Sequence, residues 1–240
     1  MGPMRFRTSL LVLFYAAFLL LVIPFLLLCM LAGTRDPLVA LGKGAMRLSQ
    51  RLLDIPLDVR GLESVDPDRP TVFMANHLSF LDAPALFMLI PQPVRAIMKK
   101  SIGRIPVLGP GMQFAGFLTV ARKGGQEGKA RIELAVRMMK EKGYSFLIFP
   151  EGTRSRDGRL GPFRRGGFFL AVESGAPIIP VAVHGTYEMM PRGQWYVGRG
   201  RIRIDFLEPV PGRNYAIETM PALMDRVASA IRASLDKGDA

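Results

Sequence analysis

Two histidines, His77 and His184, are all that the 240 residues offer for histidine chemistry. One of them is followed five positions on by a carboxylate, in Asn76-His77-Leu78-Ser79-Phe80-Leu81-Asp82. Asp82 falls in the first turn of a helical stretch, close enough for its carboxylate to fold back onto the imidazole. Such a carboxylate fixes the tautomer and stabilises the imidazolium, which a general base needs when it takes a proton from an alcohol. No serine or cysteine with nucleophile-elbow geometry accompanies the pair, so attack by an activated substrate hydroxyl is simpler than a covalent enzyme intermediate. Plainer uses fit as well. Ser79-x-x-Asp82 has the spacing of a helix-capping pair, and His77 also suits a loop histidine bonded to a main-chain carbonyl. His184 is expected to be structural.

A second cluster is Pro150-Glu151-Gly152-Thr153-Arg154-Ser155-Arg156. Gly152 permits close backbone approach, Thr153 and Ser155 carry hydroxyls, and the planar fork of Arg154 suits phosphate oxygens. Arg164 and Arg165 add donors just before a helix start at Gly166-Gly167. A solvated basic turn with Glu151 paired to Arg154 accounts for the same residues. Between the two clusters stand Lys99, Lys100 and Arg104, and Arg122 at the end of an apolar run.

These positions share a structural address. Thr71–Ala75, Val94–Met98, Phe117–Ala121, Ser145–Phe149 and Ile178–Val183 are short, apolar and bounded by turn residues, as buried strands are. Ala83–Ile90, Glu127–Lys142 and Gly166–Ser174 have the pattern of helices between them. The alternation predicts an α/β domain with a mostly parallel central sheet flanked by helices, and places both clusters at strand C-terminal ends, where ligands sit in such sheets. Arg201–Phe206 alternates like an exposed or edge strand, and Ala216–Leu235 closes the chain as a helix.

No charged residue occurs between Thr8 and Thr34, and Leu10 to Ala32 is almost continuously apolar. That run reaches the ~20 residues needed to cross hydrocarbon. A retained anchor is favoured over a cleaved signal, because the run is long and no small-x-small cleavage site follows. A spanning helix and a segment dipping into one leaflet both fit. Next comes an amphipathic stretch with Leu38, Leu41, Ala45, Leu48 and Leu52 on one side and Lys43, Arg47 and Arg51 on another. Its basic side fits anionic lipid, or the helix packs on the soluble domain and leaves that side solvated. Residues 1–55 are thus expected to be membrane-anchoring helices and 56–240 the catalytic domain.

With 49% hydrophobic and 22% charged residues the chain has the makings of a packed core, so extended disorder is excluded. A formal charge of +12 implies an anionic partner. Nucleic acid is disfavoured, because the basic residues lack interleaved aromatic platforms and the chain begins with an apolar anchor. The single cysteine, Cys29, excludes a disulfide framework, and no Cys/His spacing suggests zinc.

Four stretches, taken together and in order, resemble the glycerolipid acyltransferase family, which includes the bacterial 1-acylglycerol-3-phosphate acyltransferases. His77 to Asp82 matches its H-x-x-x-x-D signature. Gly116 to Arg122 matches a second block, with Ala121 where an acidic residue often stands. Phe149 to Ser155 matches the F-P-E-G-T-R-S block, and Ile178 to Val183 matches a fourth around a proline. The resemblance spans roughly residues 70–185. It implies that His77 is the general base on the free sn-2 hydroxyl of 1-acylglycerol-3-phosphate (lysophosphatidic acid), with Asp82 holding it. Arg122, Glu151, Gly152, Thr153 and Arg154, with Lys99, would bind the acceptor's phosphate and glycerol end. The acyl donor would be acyl-CoA or acyl carrier protein, no cofactor or metal would be required, and the product would be phosphatidic acid for phospholipid synthesis. The expected setting is the cytoplasmic membrane, among its phospholipids, with the catalytic domain facing the cytosol where thioester donors are made. Another lysolipid acceptor, such as lyso-ornithine lipid, or a non-catalytic lipid-binding role are the alternatives.

Overall fold

The computed structural model describes residues 2–120 and 125–238. Its first two elements are helices, α1 (Pro3–Leu31) and α2 (Asp36–Leu52). Proline suits the first turn of each, where its missing N–H would have had no helical partner. Nearly all of α1's apolar surface faces outward, Leu21 being 75% exposed and Leu31 86%. A few side chains tie it down. Thr8, Leu26 and Cys29 are buried, and the Tyr15 hydroxyl lies 2.7 Å from the Ser49 hydroxyl on α2.

The remaining elements are β1 (Leu57–Arg60), β2 (Val72–Ala75), α3 (Asp82–Leu89), β3 (Val94–Lys99), α4 (Leu108–Phe114), β4 (Leu118–Val120), α5 (Gly125–Lys142) and β5 (Ser145–Ile148). After these follow α6 (Gly166–Ser174), β6 (Pro177–His184), α7 (Thr186–Met189), β7 (Ile202–Phe206), β8 (Val210–Pro211) and α8 (Met220–Gly238). The strands form one sheet in the order β1-β7-β6-β2-β5-β3-β4, with β8 also against β6. Every pairing is parallel except those of β6 with β7 and β8. The mostly parallel α/β sheet is therefore as expected.

Strand periodicity splits the core into two layers. Val72, Met74, Phe146, Ile148 and Ile178 point to the side packed by α5, α6 and α8. Phe73, Ala75, Leu147, Ile179 and Val181 point to the side covered by α3 and the foot of α2. Both faces being covered explains why these strands show as unbroken apolar runs in the sequence.

Two expectations change. β7 is an interior strand between β1 and β6, not an edge. Its apolar Ile202, Ile204 and Phe206 are buried, while Arg203 and Asp205 form an ion pair at 3.4 Å and both contact His184. The hydroxyl of Ser234 on α8 donates to Asp205 at 2.6 Å. The amphipathic α2 turns part of its basic side to the domain. Lys43 donates to the carbonyl of Ile90 at 2.8 Å and Arg47 to that of Met88 at 3.3 Å. Those carbonyls lie at the C-terminal end of α3, where helix polarity favours cations.

Candidate functional site

β2 and β5 run parallel with Met74 opposite Ile148, so both leave the sheet at the same end. That register sets the loop from Asn76 beside the loop from Phe149. Asn76 anchors the first loop: its buried amide donates to the Val183 carbonyl and accepts from the Val183 N–H, both at 2.8 Å. The side chain thereby imitates one more rung of the β2–β6 ladder.

His77 Nδ1 lies 2.8 Å from Asp82 Oδ2. Asp82 is 0% exposed. The same Oδ2 accepts the N–H groups of Leu78 and Ser79 at 2.7 and 2.8 Å, and Oδ1 accepts the Thr186 hydroxyl at 2.6 Å. A carboxylate already receiving three donors is set as an acceptor. The proton of the His77–Asp82 contact therefore belongs on Nδ1, and Nε2 keeps its lone pair. The imidazole also stacks on Phe149, with ring centroids 4.1 Å apart and planes at 20°. Asp82 fixes the ring's rotation and Phe149 one of its faces, while 19% of the His77 side chain stays accessible.

The capping pair expected here does not form, since α3 begins at Asp82 with Leu81 as its N-cap and no side-chain cap, and the same residues close a turn instead. Asp82 reaches back to the Ser79 N–H, and the Ser79 hydroxyl accepts the Leu81 N–H at 3.3 Å. One carboxylate thus starts α3 and holds His77.

Glu151 is not paired with Arg154. It is buried, and it accepts the His77 N–H at 2.7 Å with one oxygen and the Gly161 N–H at 2.9 Å with the other. Burial pushes its carboxyl above the usual range, opposed by those two N–H groups. The Ser155 N–H donates to the His77 carbonyl at 2.8 Å. The second loop therefore grips the histidine's backbone on both sides. A Cβ at Gly161 would come within 2.9 Å of Glu151 Oε2, so only glycine lets that N–H approach. Gly152 turns the loop with a φ of +69°. Thr153 is exposed.

Arg154 lies with its guanidinium carbon 3.5 Å from the centre of the Phe80 ring. Its Nη1 is buried and has no hydrogen-bond partner. Burial, then repulsion from Arg192, lower its pKa below the ordinary guanidinium value, while Asp82 acts the other way. Arg192 follows α7, on a turn held here by the Ser79 hydroxyl, which donates to the Met190 carbonyl at 2.9 Å. Two guanidinium groups close enough to repel each other, one within electrostatic reach of Asp82 and with an unsatisfied buried N–H, are arranged for an anion with several oxygens.

Lys99 ends β3 on the same edge of the sheet, but β5 separates it from β2, and its side chain is exposed. Arg122 lies outside the described residues. Phe149, Thr186 and Arg192 were not singled out from sequence. Thr186 is 104 residues from the carboxylate it supports, and no local spacing carries that signal. Among the described residues, no group of three or more His, Cys, Asp and Glu side chains could hold a metal ion. His184 stands apart, with Asp205 and Arg203 near α8.

Residues 56–184, more than half the chain, match the family model described as Acyltransferase. The chain is 38% identical over 159 residues to the chloroplastic 1-acyl-sn-glycerol-3-phosphate acyltransferase BAT2 of Brassica napus, covering 65% of this chain and 45% of that protein. It is 33% identical over 184 residues to the chloroplastic 1-acyl-sn-glycerol-3-phosphate acyltransferase LPAT1 of Arabidopsis thaliana, covering 75% and 49%. This chain thus spans about half the length of these curated relatives. In fold it is similar to the crystal structure of the 1-acyl-sn-glycerophosphate (LPA) acyltransferase PlsC from Thermotoga maritima. The TM-score is 0.82 over 99% of this chain and 96% of the other, with 23% identity.

Proposed function

We propose that this chain, which belongs to the acyltransferase family, moves a fatty acyl group from acyl-CoA or acyl carrier protein to the sn-2 hydroxyl of 1-acylglycerol-3-phosphate, giving phosphatidic acid. The carrying observation is the open Nε2 of His77, oriented through Nδ1 by the buried Asp82, beside the unpartnered guanidinium of Arg154. Nε2 takes the hydroxyl proton as the oxygen attacks the thioester carbonyl. The tetrahedral intermediate collapses, the carbon–sulfur bond breaks, and the leaving thiolate takes the proton back from Nε2. No covalent enzyme intermediate is needed. General-base assistance contributes roughly 10²- to 10⁴-fold, and orientation and oxyanion stabilisation supply the rest of the acceleration.

Arg154 and Arg192 favour a phosphomonoester acceptor over a zwitterionic lysolipid such as lyso-ornithine lipid. Glu151 serves this chemistry by positioning His77, and Gly152 and Thr153 by shaping the turn that presents Arg154. The names of the curated relatives support the same acceptor. The exposed apolar side of α1 supports a seat in the membrane, with the catalytic domain on the cytosolic side where thioester donors are made.

Thiol release with each donor and 1-acylglycerol-3-phosphate tests the reading. The wild type should release thiol only when acceptor is present, and His77→Ala should abolish it. Release that persists in the folded variant would remove His77 from the chemistry. No release by the wild type with either donor would move the activity to another acceptor.

A further inference from the structure

The turn that carries Arg192 continues to the N-terminal end of α1. From Met189 to Ile204 the chain has arginines at 192, 199, 201 and 203 and no acidic residue. In its middle Trp195, the only tryptophan of the protein, is 55% exposed. This exposure does not belong to a loose tip, because residues on both sides are pinned. The Gln194 amide donates to the carbonyls of Met189 and Tyr196 at 2.9 and 2.8 Å, and the Gly198 N–H donates to the Met189 carbonyl at 2.7 Å. A Cβ at Gly200 would fall 2.5 Å from the Met189 side chain, so the segment lies tightly on α7.

Its far end is bonded to the membrane helix. The Val197 N–H donates to the buried Thr8 hydroxyl at 3.1 Å. The Arg5 guanidinium lies 4.7 Å from the centre of the Tyr196 ring, which meets Trp195 edge-on at 5.7 Å. Arg192, Arg199 and Arg201 of the same segment are exposed, as are Arg5 and Phe6 at the start of α1. An exposed indole in an arginine-rich segment, joined to the end of an apolar helix, has the composition of a membrane–water interface.

We infer that residues 190–201 form a second membrane-seating element, with Trp195 in the headgroup layer of an anionic bilayer and the arginines on lipid phosphates. This rests on the membrane seat of α1. Its consequence is geometric. Because the same segment is bonded to Ser79 at one end and Thr8 at the other, seating it sets Arg192, and Arg154 near it, against the layer where a lysolipid's phosphate lies.

Trp195 reports on itself by fluorescence. The full chain is reconstituted into phosphatidylethanolamine/phosphatidylglycerol vesicles containing lipids brominated either high on the acyl chain or near the bilayer centre, and vesicle flotation is measured in parallel. The shallow bromine should quench Trp195 roughly twofold more than the deep one, as for an interfacial indole, and aqueous iodide should quench weakly. In those vesicles Trp195→Ser should lose roughly tenfold in activity, in line with withdrawing one large aromatic from the interface. Trp195→Phe should restore most of it, and in mixed micelles all three proteins should be equal.

Protein that floats while iodide quenches Trp195 and neither bromolipid does would overturn the seat but leave α1's membrane role standing. Stronger quenching by deep bromine would overturn the headgroup placement. Iodide access closed only by added acyl carrier protein would assign the segment to the donor instead. Protein that fails to float would remove the membrane premise itself.

Discussion

At the residue scale the site consists of one histidine with three separate restraints. Asp82 is the restraint with most to lose. Asp82→Asn keeps the shape but gives His77 a side chain that can donate back, which favours the wrong tautomer. We expect kcat to fall by about 10³- to 10⁴-fold with KM nearly unchanged, measured by steady-state thiol release. On the proposed function Arg192 serves binding. Arg192→Ala should raise KM for 1-acylglycerol-3-phosphate about tenfold, the loss of one charge-assisted hydrogen bond, and leave the donor KM alone. An unphosphorylated monoacylglycerol acceptor should not register the change. Glu151 gives a pH signature. Its folded pKa is raised by burial, so this group favours the folded state at low pH, and that contribution is lost as pH rises through the folded pKa. Activity should run the opposite way, since a protonated Glu151 no longer grips both the His77 and Gly161 N–H groups. Melting temperature against pH for the wild type and Glu151→Gln checks the sign: the variant should lose the acid-side gain in stability. His77, Asp82 and Arg154 could be singled out in the sequence because each sits in a short segment with its neighbours. Thr186 and Arg192 could not, because they lie outside all four motif blocks and only the fold brings them to partners far off in the chain, Thr186 to an Asp82 that is 104 residues away.

At the element scale, legibility follows burial. β2, β5 and β6 are covered on both faces and stand out as apolar runs. β1, with the sequence Leu-Asp-Val-Arg, is an edge strand of four residues and has no such run. β7 shows its alternation in the sequence, but which strands flank it depends on the return of the chain from α7, and that is not encoded in the segment. The basic side of α2 reads in the sequence as lipid-facing or solvated for a similar reason. Its partner is the end of α3, and only the folded chain shows those carbonyls. The pairing matters to the site because α3 begins at Asp82. Lys43→Ala should cost about 1 kcal/mol of stability, the usual scale for a cation closing a helix C-terminus, read by denaturant unfolding in detergent. Lys43→Arg should recover part of it, and the loss of activity should track the unfolded fraction rather than appear as a change in KM.

At the scale of the whole molecule, the attachment of α1 decides how the protein meets a bilayer. Thr8 is bonded to Val197 near the helix's start, and Leu26, eighteen residues later, is buried where α1 packs on α4 near Gly111. At 1.5 Å per residue these attachments are roughly 27 Å apart, close to the full thickness of the hydrocarbon layer. A helix standing upright in the bilayer would therefore carry the α/β domain into hydrocarbon along its whole length. Backbone groups in the loops of that domain would go unsatisfied there. We predict instead that α1 lies along one leaflet with its exposed leucines in the acyl region and both ends on the same side. Gly2→Cys and Thr34→Cys, each placed in a Cys29→Ala background, make this measurable in sealed vesicles with a membrane-impermeant thiol reagent. Labelling of both positions from the side that holds the catalytic domain is the expected result. Labelling of one end only, with the other reached after the vesicles are opened, would mean that α1 crosses and that its contacts with Val197 and α4 break in the membrane. The one-leaflet arrangement would also account for the single segment of chain that links Arg192 to the end of α1: on the proposed function, a lysolipid would not have to leave its leaflet to reach His77.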